Sequence, residues 1–426
     1  MGVSMSSRAM SSGAISTGIQ GAYLHIPFCR RRCYYCDFPI SVVGDRPSLE
    51  TYAPIQDYVD LLCREIKLAP KPDHALNTIF FGGGTPSLLP IAALTQILEA
   101  LDRQLGISPK AEISMEIDPG TFDRDQLLGF LQAGINRFSL GVQAFQEELL
   151  QVCGRSHILS DTYQAIALFQ ELGIKNFSFD LISGLPTQTL EQWQNSLAQA
   201  IALRPPHISC YDLVLEPVTA FGKRYQAGAS PLPTDRLTAE MYRMAQQVLT
   251  EAGYGHYEIS NYALHGHQCR HNRLYWENRP YYGFGMGAAS YTQGKRINRP
   301  RNRQGYREWV VNLEKIQGVV EIPEEITQET MGDRLLETIM LGLRLAEGLS
   351  VRELIHEFGQ EVVKKIAQTL FSFEKSGWIE ARSATHHLLS LRQSLNEIER
   401  INLSDPEGFL FSNTVLASLF EVFAED

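Results

Sequence analysis

The sequence predicts an α/β fold, a partial (β/α)6 barrel followed by a smaller, mainly helical C-terminal domain. Three observations predict it. From about residue 21 to residue 215, short apolar runs alternate with helical patterns at a spacing of roughly 30–40 residues, the rhythm of βα units. Several of those runs end in Gly, Pro or Asp, and in parallel barrels and open sheets ligands sit at the carboxyl ends of the strands. After Pro217 the rhythm changes.

The strands read, in order, "AYLHIPF" (22–28), "NTIFFGGG" (77–84), "AEISMEID" (111–118), "NRFSLGVQ" (136–143), "NFSFDLISG" (176–184) and "HISCYDLVL" (207–215). Between them, stretches such as "IAALTQILEALDRQL" and "DTYQAIALFQELGI" repeat apolar residues at i, i+3 and i+4, as helices covering a parallel sheet do. Beyond residue 215, "RLTAEMYRMAQQVLTEAGY" predicts a helix, "HYEISNYA" one further strand, and 265–308 a long polar and aromatic segment. Ser350 with Glu353 three residues later is a capping-box start before "LIHEFG". "GWIEARSATHHLLSLRQ" suggests a winged β-element within the last domain. The expected organisation is a disordered tail at 1–20, the barrel at 21–215, an extension at 216–330 and the C-terminal domain at 331–426.

A formal net charge of −10 argues against nucleic acid as a partner, because phosphate neutralisation needs a basic face. Residues 1–20 are Ser- and Gly-rich, carry one Arg and lack the apolar core of a secretory signal; a short organellar transit peptide is the alternative to a plain tail. No run of about 18 apolar residues occurs, so no integral membrane segment is expected and the predicted location is cytoplasmic. Seven cysteines without a signal point to metal or redox use rather than a disulfide framework. Cys63, Cys153, Cys210 and Cys269 are scattered and read as small buried side chains.

Cys29, Cys33 and Cys36 are not scattered. Their x3 and x2 spacing lies on the loop after the first strand, where three corners of an iron–sulfur cube can be held and the fourth iron left accessible. A zinc site would need a fourth ligand, for which His25 is the nearest candidate. Tyr34, Tyr35 and Phe38 are placed to shield a cluster. Gly82, Gly83 and Gly84 of "FFGGGTPS" let the backbone approach a ligand closely and offer peptide groups to it; alone they would read as a tight turn. No Gly-Lys-Ser/Thr follows, so this is not a phosphate loop.

The cysteine loop followed one βα unit later by GGGTPS resembles the radical S-adenosylmethionine (SAM) superfamily. Together with "HIPFC", "SMEIDPGT", "SLGVQAF", "CGRSH", "DLISGLPTQT" and "YEISNYA", it is similar to the oxygen-independent coproporphyrinogen III oxidase family, and more closely to its HemW branch of haem chaperones. The resemblance covers about residues 21–345 and, weakly, the remainder. It implies a [4Fe–4S] cluster on Cys29, Cys33 and Cys36, and SAM contacts at Tyr23, Gly83, Gly84, Glu116, Gln143, Arg155 and Asp180. The chemistry suits: carboxylates accept from amine or ribose hydroxyls, Gln143 can do both, and Arg155 can fork onto a carboxylate. The enzyme branch resembles Cys-x3-Cys-x2-Cys-x-Cys, whereas Phe38 occupies the last of those positions here. "HNRLYW" (271–276) looks like the HNxxYW signature of the chaperones, making His271 either a haem-iron ligand or a hydrogen-bonded structural residue beside Asn272. His25 reads as structural.

The resemblance thus implies a haem chaperone that binds the cluster, SAM and haem, passes haem to an acceptor protein and draws on a low-potential electron donor such as flavodoxin or ferredoxin. The rival is an oxygen-independent coproporphyrinogen III dehydrogenase, in which radical SAM chemistry decarboxylates a propionate. Two motifs read as decoys. "GFGMGA" (283–288) formally fits a dinucleotide fingerprint but follows no convincing strand, and Arg303 stands where an acid belongs. Arg296, Arg299, Arg301, Arg303 and Arg307 read as a solvated linker, with pairing to porphyrin propionates as the alternative.

Overall fold

A computed structural model describes residues 18–45, 52–316 and 330–423. The tail reading therefore falls almost wholly outside the described residues, as does the stretch 317–329.

Six strands at the predicted places lie parallel and adjacent: β1 (Gly21–Ile26), β4 (Leu76–Gly83), β5 (Ile107–Ile117), β6 (Arg137–Gln143), β7 (Phe177–Ser183) and β8 (His207–Asp212). Two short strands, β2 (Phe28–Cys29) and β3 (Ser41–Val42), pair in parallel to close the cysteine loop. The crossover helices bury one stripe each against the sheet. In α1 (Ala53–Leu68) the stripe is Ile55, Tyr58, Val59, Leu62 and Ile66; in α2 (Ile91–Leu105) it is Leu94, Ile97, Leu98, Leu101 and Leu105. Next come α3 (Arg124–Ala133), capped by Asp123 and closed by left-handed Gly134, then α4 (Glu147–Val152) and α5 (Leu159–Glu171). In α6 (Leu190–Leu203) Thr189 and Gln192 cap each other reciprocally.

The extension does not stand apart from this sheet. After the short α7 (Ala220–Arg224) and α8 (Asp235–Glu251), the chain forms β9 (Gly255–Glu258) and β10 (Asn261–Ala263), and β10 pairs antiparallel with β8. "HYEISNYA" is thus a hairpin, not one strand. The turn is held by Glu258, whose carboxylate accepts from the Ser260 N–H and the Asn261 side-chain amide. The polar, aromatic segment is also structured. It contains α9 (Arg270–Trp276), β11 (Tyr281–Phe284), β12 (Ala289–Thr292) and β13 (Lys295–Asn298), and β11 docks parallel to the free side of β1. The result is an eleven-stranded sheet ordered β13-β12-β11-β1-β4-β5-β6-β7-β8-β10-β9. "GFGMGA" does begin on a strand, β11, but runs into β12 rather than a helix. Its glycines serve backbone contact: a Cβ on Gly283 would sit 2.0 Å from the Ala289 carbonyl oxygen.

The arginine run is solvated only in part: Arg301, Arg303 and Arg307 are exposed, but the first two arginines are engaged in the fold. Arg299 is buried and pairs with buried Glu65 of α1 (Nε to Oε1 2.8 Å), and Arg296 pairs with Glu337 at 2.6 Å. Glu65 also accepts from the Gly285 N–H (2.9 Å) and from Tyr306 (2.7 Å) on α10 (Arg303–Lys315), so three segments meet on one carboxylate.

The C-terminal region builds its own core. It comprises α11 (Met331–Gly342), β14 (Leu349–Ser350), α12 (Val351–Phe358), α13 (Gln360–Lys375), β15 (Ile379–Arg382), β16 (Leu388–Leu389), β17 (Arg400–Leu403), α14 (Glu407–Leu410) and α15 (Ser412–Phe423). The β15–β16 hairpin is the expected wing. Ser350 accepts from the Glu353 N–H at 3.3 Å, so α12 carries the serine half of the expected capping box. Arg243 reaches Glu407 through two bonds (2.6 and 2.8 Å), and His256 meets Asp405 at 2.8 Å, tying this region to α8 and β9. No helix among the described residues is long and apolar enough to cross a membrane.

Replacing Glu65 with Ala would strand the Arg299 guanidinium in the core, and breaking a buried pair in this way costs about 3–5 kcal/mol. Urea unfolding of Glu65→Ala should show that loss, whereas a change within experimental error would mean that Arg299 finds water or another partner.

Candidate functional site

The six predicted strands end at one cavity of about 530 Å³. That volume lies within the usual range for small-molecule sites. Its lining includes Cys29, Cys33, Cys36, Gly83, Gly84, Glu116, Gln143, Arg155 and Asp180, residues spread over 152 positions of sequence.

The cysteine loop is held mainly by backbone. Ser41 N–H donates to Pro27 O (2.6 Å), Val43 N–H to Cys29 O (2.9 Å) and Tyr34 N–H to Cys153 O (3.0 Å). His25 adds a side-chain tie, with Nε2 2.8 Å from Pro39 O and Nδ1 3.1 Å from the Tyr23 hydroxyl. Burial pushes His25 down to about 4, so the ring is neutral and structural. Tyr35 and Phe38 line the cavity as expected of a shield, but Tyr34 does not; it packs beside Gly154 and Phe221. Cys63, Cys153, Cys210 and Cys269 are all buried.

Two glycines of the second motif have no room for a side chain. A Cβ on Gly83 (φ +115°) would lie 2.5 Å from the His25 ring, and one on Gly84 would lie 2.7 Å from Phe28 O and 2.9 Å from Cys29 Sγ. The GGG turn is therefore packed directly onto the first cysteine. Thr85, which follows it, points its hydroxyl at Cys29 Sγ (3.6 Å) and at Asp118 (3.3 Å).

Across the cavity, Glu116 accepts from the Gly83 N–H (3.0 Å). Burial, with the neighbouring Asp180 charge next, pushes its carboxyl up to about 8. Asp180 is likewise raised by burial, and hydrogen bonds from Ser209 and Ser139 pull it back; Ser139 lies 2.9 and 3.0 Å from its two oxygens. Gln143 adopts φ +66°, the left-handed region, where the β6–β7 register shifts. Such a conformation in a non-glycine residue costs on the order of 1 kcal/mol and is retained where the surroundings impose it.

Arg155 shares the cavity wall with a residue that motif reading passed over. Its Nη2 pairs with Asp118 at 2.5 Å and donates to Gly141 O at 3.0 Å, while Nη1 lies 3.5 Å from both Cys33 Sγ and the Tyr35 hydroxyl. The period-2 alternation of β5 was the available signal, since Asp118 continues the inward series of Glu112, Ser114 and Glu116. Gly141 is the second omission: a Cβ there would approach Asp118 to 2.7 Å.

Tyr23 and His271 lie outside the cavity lining. Tyr23 stacks on Phe80 behind it. His271 is fully buried on α9, with Nδ1 2.8 Å from the Thr78 hydroxyl and Nε2 2.9 Å from the Tyr275 hydroxyl. Burial lowers it to about 3, so it is neutral with both nitrogens engaged. This is the structural alternative of the sequence reading; an iron ligand would need one of those bonds broken.

The donor set fits a cluster. The three thiols line one cavity, yet among the described residues no three potential ligands converge as they would on a single ion. A cube takes them at separate corners. Burial pushes the Cys29 thiol up to about 12, so ionising it calls for a metal partner. An Ala at position 84 would force backbone against Cys29, with an overpacking cost of roughly 1–3 kcal/mol. Gly84→Ala is expected to bind less iron and sulfide per chain than wild type, whereas Gly255→Ala, whose Cβ would meet nothing closer than 3.6 Å, keeps its content. Equal loading in both variants would show that the turn does not position the cysteine.

The model of the radical SAM superfamily matches residues 23–200, and that of the HemN C-terminal domain matches 330–386. A Synechocystis protein named haem chaperone HemW is 51% identical over 406 residues, covering 95% of this chain and 97% of that one. The Escherichia coli protein of the same name is 40% identical over 291 residues, 67% of this chain and 74% of its own. Among solved structures, coproporphyrinogen III oxidase (HemN) from Escherichia coli aligns with a TM-score of 0.76 at 19% identity, covering 95% of this chain and 91% of that one; this shows a shared fold alone. The identity sustained along the Synechocystis protein goes further, and the chain belongs to the HemW family within the radical SAM superfamily.

Proposed function

We propose that this protein is a haem chaperone that holds a [4Fe–4S] cluster and SAM in the barrel cavity and transfers haem to an acceptor protein. The observation that carries the reading is the 51% identity to a haem chaperone across 95% of the chain. Cys29, Cys33 and Cys36 would hold the cluster, which when bound supplies one-electron chemistry and an open iron for the amino and carboxylate groups of SAM. Around that ligand, Gly83 and Gly84 allow close backbone approach. Glu116 and Asp180 accept from N–H or O–H groups, Gln143 bonds in either sense, and Arg155, anchored by Asp118, offers its guanidinium to a carboxylate. His271 fits a role in holding α9 to the barrel better than one on iron, because both its nitrogens are already bonded. The reading also includes a low-potential electron donor.

The test that separates this from a porphyrin-pathway enzyme is anaerobic incubation of the cluster-loaded protein with SAM, reductant and coproporphyrinogen III, following protoporphyrinogen and 5′-deoxyadenosine. No porphyrin product is expected, while the same preparation binds haem and passes it to an acceptor. Catalytic formation of protoporphyrinogen would overturn the chaperone reading.

A pH dependence follows from Glu116. Its carboxyl sits near 8 in the ligand-free chain, so at neutral pH it is mostly protonated, and donors from SAM would favour the ionised form. Binding then releases a proton, so SAM affinity rises with pH up to about the ligand-free value, by up to roughly tenfold per unit, and levels off above it. Calorimetry in buffers of different ionisation enthalpy measures that proton, and Glu116→Gln should abolish it. Wild type releasing none would mean that Glu116 stays protonated against the ligand.

A further inference from the structure

In a chain of net charge −10, the loop that carries the three cysteines is basic. Arg30, Arg31 and Arg32 fill the whole interval between Cys29 and Cys33. Arg301, far away in sequence, joins them: its Nη2 donates to Asp37 O at 2.6 Å and lies 3.4 Å from the Asp37 carboxylate. Arg303 continues the same edge by donating to Pro54 O. The acids interleaved on the loop, Asp37 and Asp45, are each paired with one of these arginines, Arg301 and Arg31. Those two arginines remain 60% and 61% exposed, respectively for Arg31 and Arg301. Two apolar side chains stand among them, Phe38 and Val42, at 54% and 57% exposure. A large aromatic ring in solvent beside a cationic rim is the anatomy of a contact surface, apolar at its centre and charged around it.

We propose that this rim docks an acidic, low-potential one-electron carrier protein, which delivers its electron through the cysteine loop. The proposal deepens the reading above and rests on it, because it takes Cys29, Cys33 and Cys36 to hold the cluster. Charge complementarity selects the occupant. Transient redox complexes bury little area and depend on opposite charge for encounter and orientation, and a basic rim on an otherwise acidic molecule steers an acidic partner to this edge. Position supplies the function, since a partner seated on Arg30–Arg32 touches the backbone that bears the ligands. One electron leaves the carrier, which is oxidised by one, and enters the cluster, which is reduced by one; no bond forms and no proton needs to move. Arg30 and Arg32 also brace the loop, through Gly120 O (2.7 Å) and through Cys36 O and Phe38 O (3.2 Å each), so the probes are Arg31 and Arg301.

The experiment titrates purified flavodoxin, an acidic one-electron carrier, into the full chain by calorimetry at low and at raised ionic strength. It is run with and without the cluster, and iron and sulfide content are recorded. Wild type should bind at low salt and lose affinity as salt screens the rim. Arg31→Glu should weaken binding about tenfold, and Arg31→Glu/Arg301→Glu further and with a flatter salt dependence, as expected when steering charges are reversed. Reduction of the cluster by flavodoxin, followed by its visible absorbance, should slow in parallel, with reduction by dithionite unchanged. Arg103→Glu, at the carboxyl end of α2 on the opposite side of the barrel, should match wild type. Three results would overturn the proposal: affinity and salt slope unchanged in the double variant, an equal loss in Arg103→Glu, or a double variant that loses haem or anionic-vesicle binding while flavodoxin binding persists. A wild-type chain that takes up no iron and sulfide would instead sink the cluster reading, and the titration on the unloaded chain would still decide the docking surface.

Discussion

The site depends on the closure of one loop. Between β1 and β3 the chain must present three sulfurs to a cavity with little core of its own, since Arg31, Arg32, Tyr34 and Phe38 face solvent. Closure comes from backbone bonds at its base, Ser41 to Pro27 and Val43 to Cys29, and from the neutral His25 ring on Pro39. The same His25 ring fills the space that a side chain on Gly83 would need. The two motifs are thus one packing unit: the histidine that closes the cysteine loop is the residue that requires glycine in the neighbouring strand.

Beneath the cavity the barrel is unusual in what fills it. Parallel barrels are commonly packed with branched aliphatic layers, yet Thr78, Ser114, Ser139, Ser178 and Ser209 are buried here with Arg137, beneath a half-buried Asp180. Ser139 bridges Ser178 (2.7 Å) and both oxygens of Asp180. Small hydroxyls let the Asp180 carboxylate remain at the cavity floor by supplying donors that aliphatic side chains lack, while Glu116 takes its donor from the Gly83 backbone. They also forgo the apolar burial that would otherwise stabilise the interior. The outer layer compensates, where helix stripes such as Leu94, Ile97 and Leu101 are fully buried against the sheet.

What was legible in the sequence follows the range of the interaction. The six parallel strands and their helices are local patterns of period 2 and 3.6, and they appear where those patterns lie. Cys29, Cys33, Cys36 and the GGG turn are also short-range, and the structure brings them to one cavity with Glu116, Gln143, Arg155 and Asp180. The readings that changed concern partners chosen over long separations. Nothing near Tyr281 states that β11 will dock on β1, because that choice rests on a strand 260 positions away, Gly21 opposite Tyr281. Arg299 looked like one of a solvated run because its partner Glu65 lies on α1. "HYEISNYA" passed for a strand because its turn is made by side chains of types that strands also tolerate.

The HNRLYW segment acquires a physical role from its position. Glu112 of β5 accepts from the Arg270 and His271 N–H groups (3.3 and 3.2 Å), satisfying donors at the start of α9, while His271 bonds Thr78 of β4. On the other side of the helix, Arg273 pairs with Glu347 at 3.0 Å, and Arg344 lies 5.7 Å from the centre of the Trp276 ring. One seven-residue helix therefore grips the barrel through its histidine and the C-terminal region through its arginine and tryptophan. Spacing explains the division, since residues 271, 274 and 275 share the face turned to the barrel while 273 and 276 point away from it. A signature built this way joins the sheet that carries the cavity to the region that carries the wing. Its histidine and tryptophan are then constrained by packing on two sides, whether or not either of them ever touches a ligand.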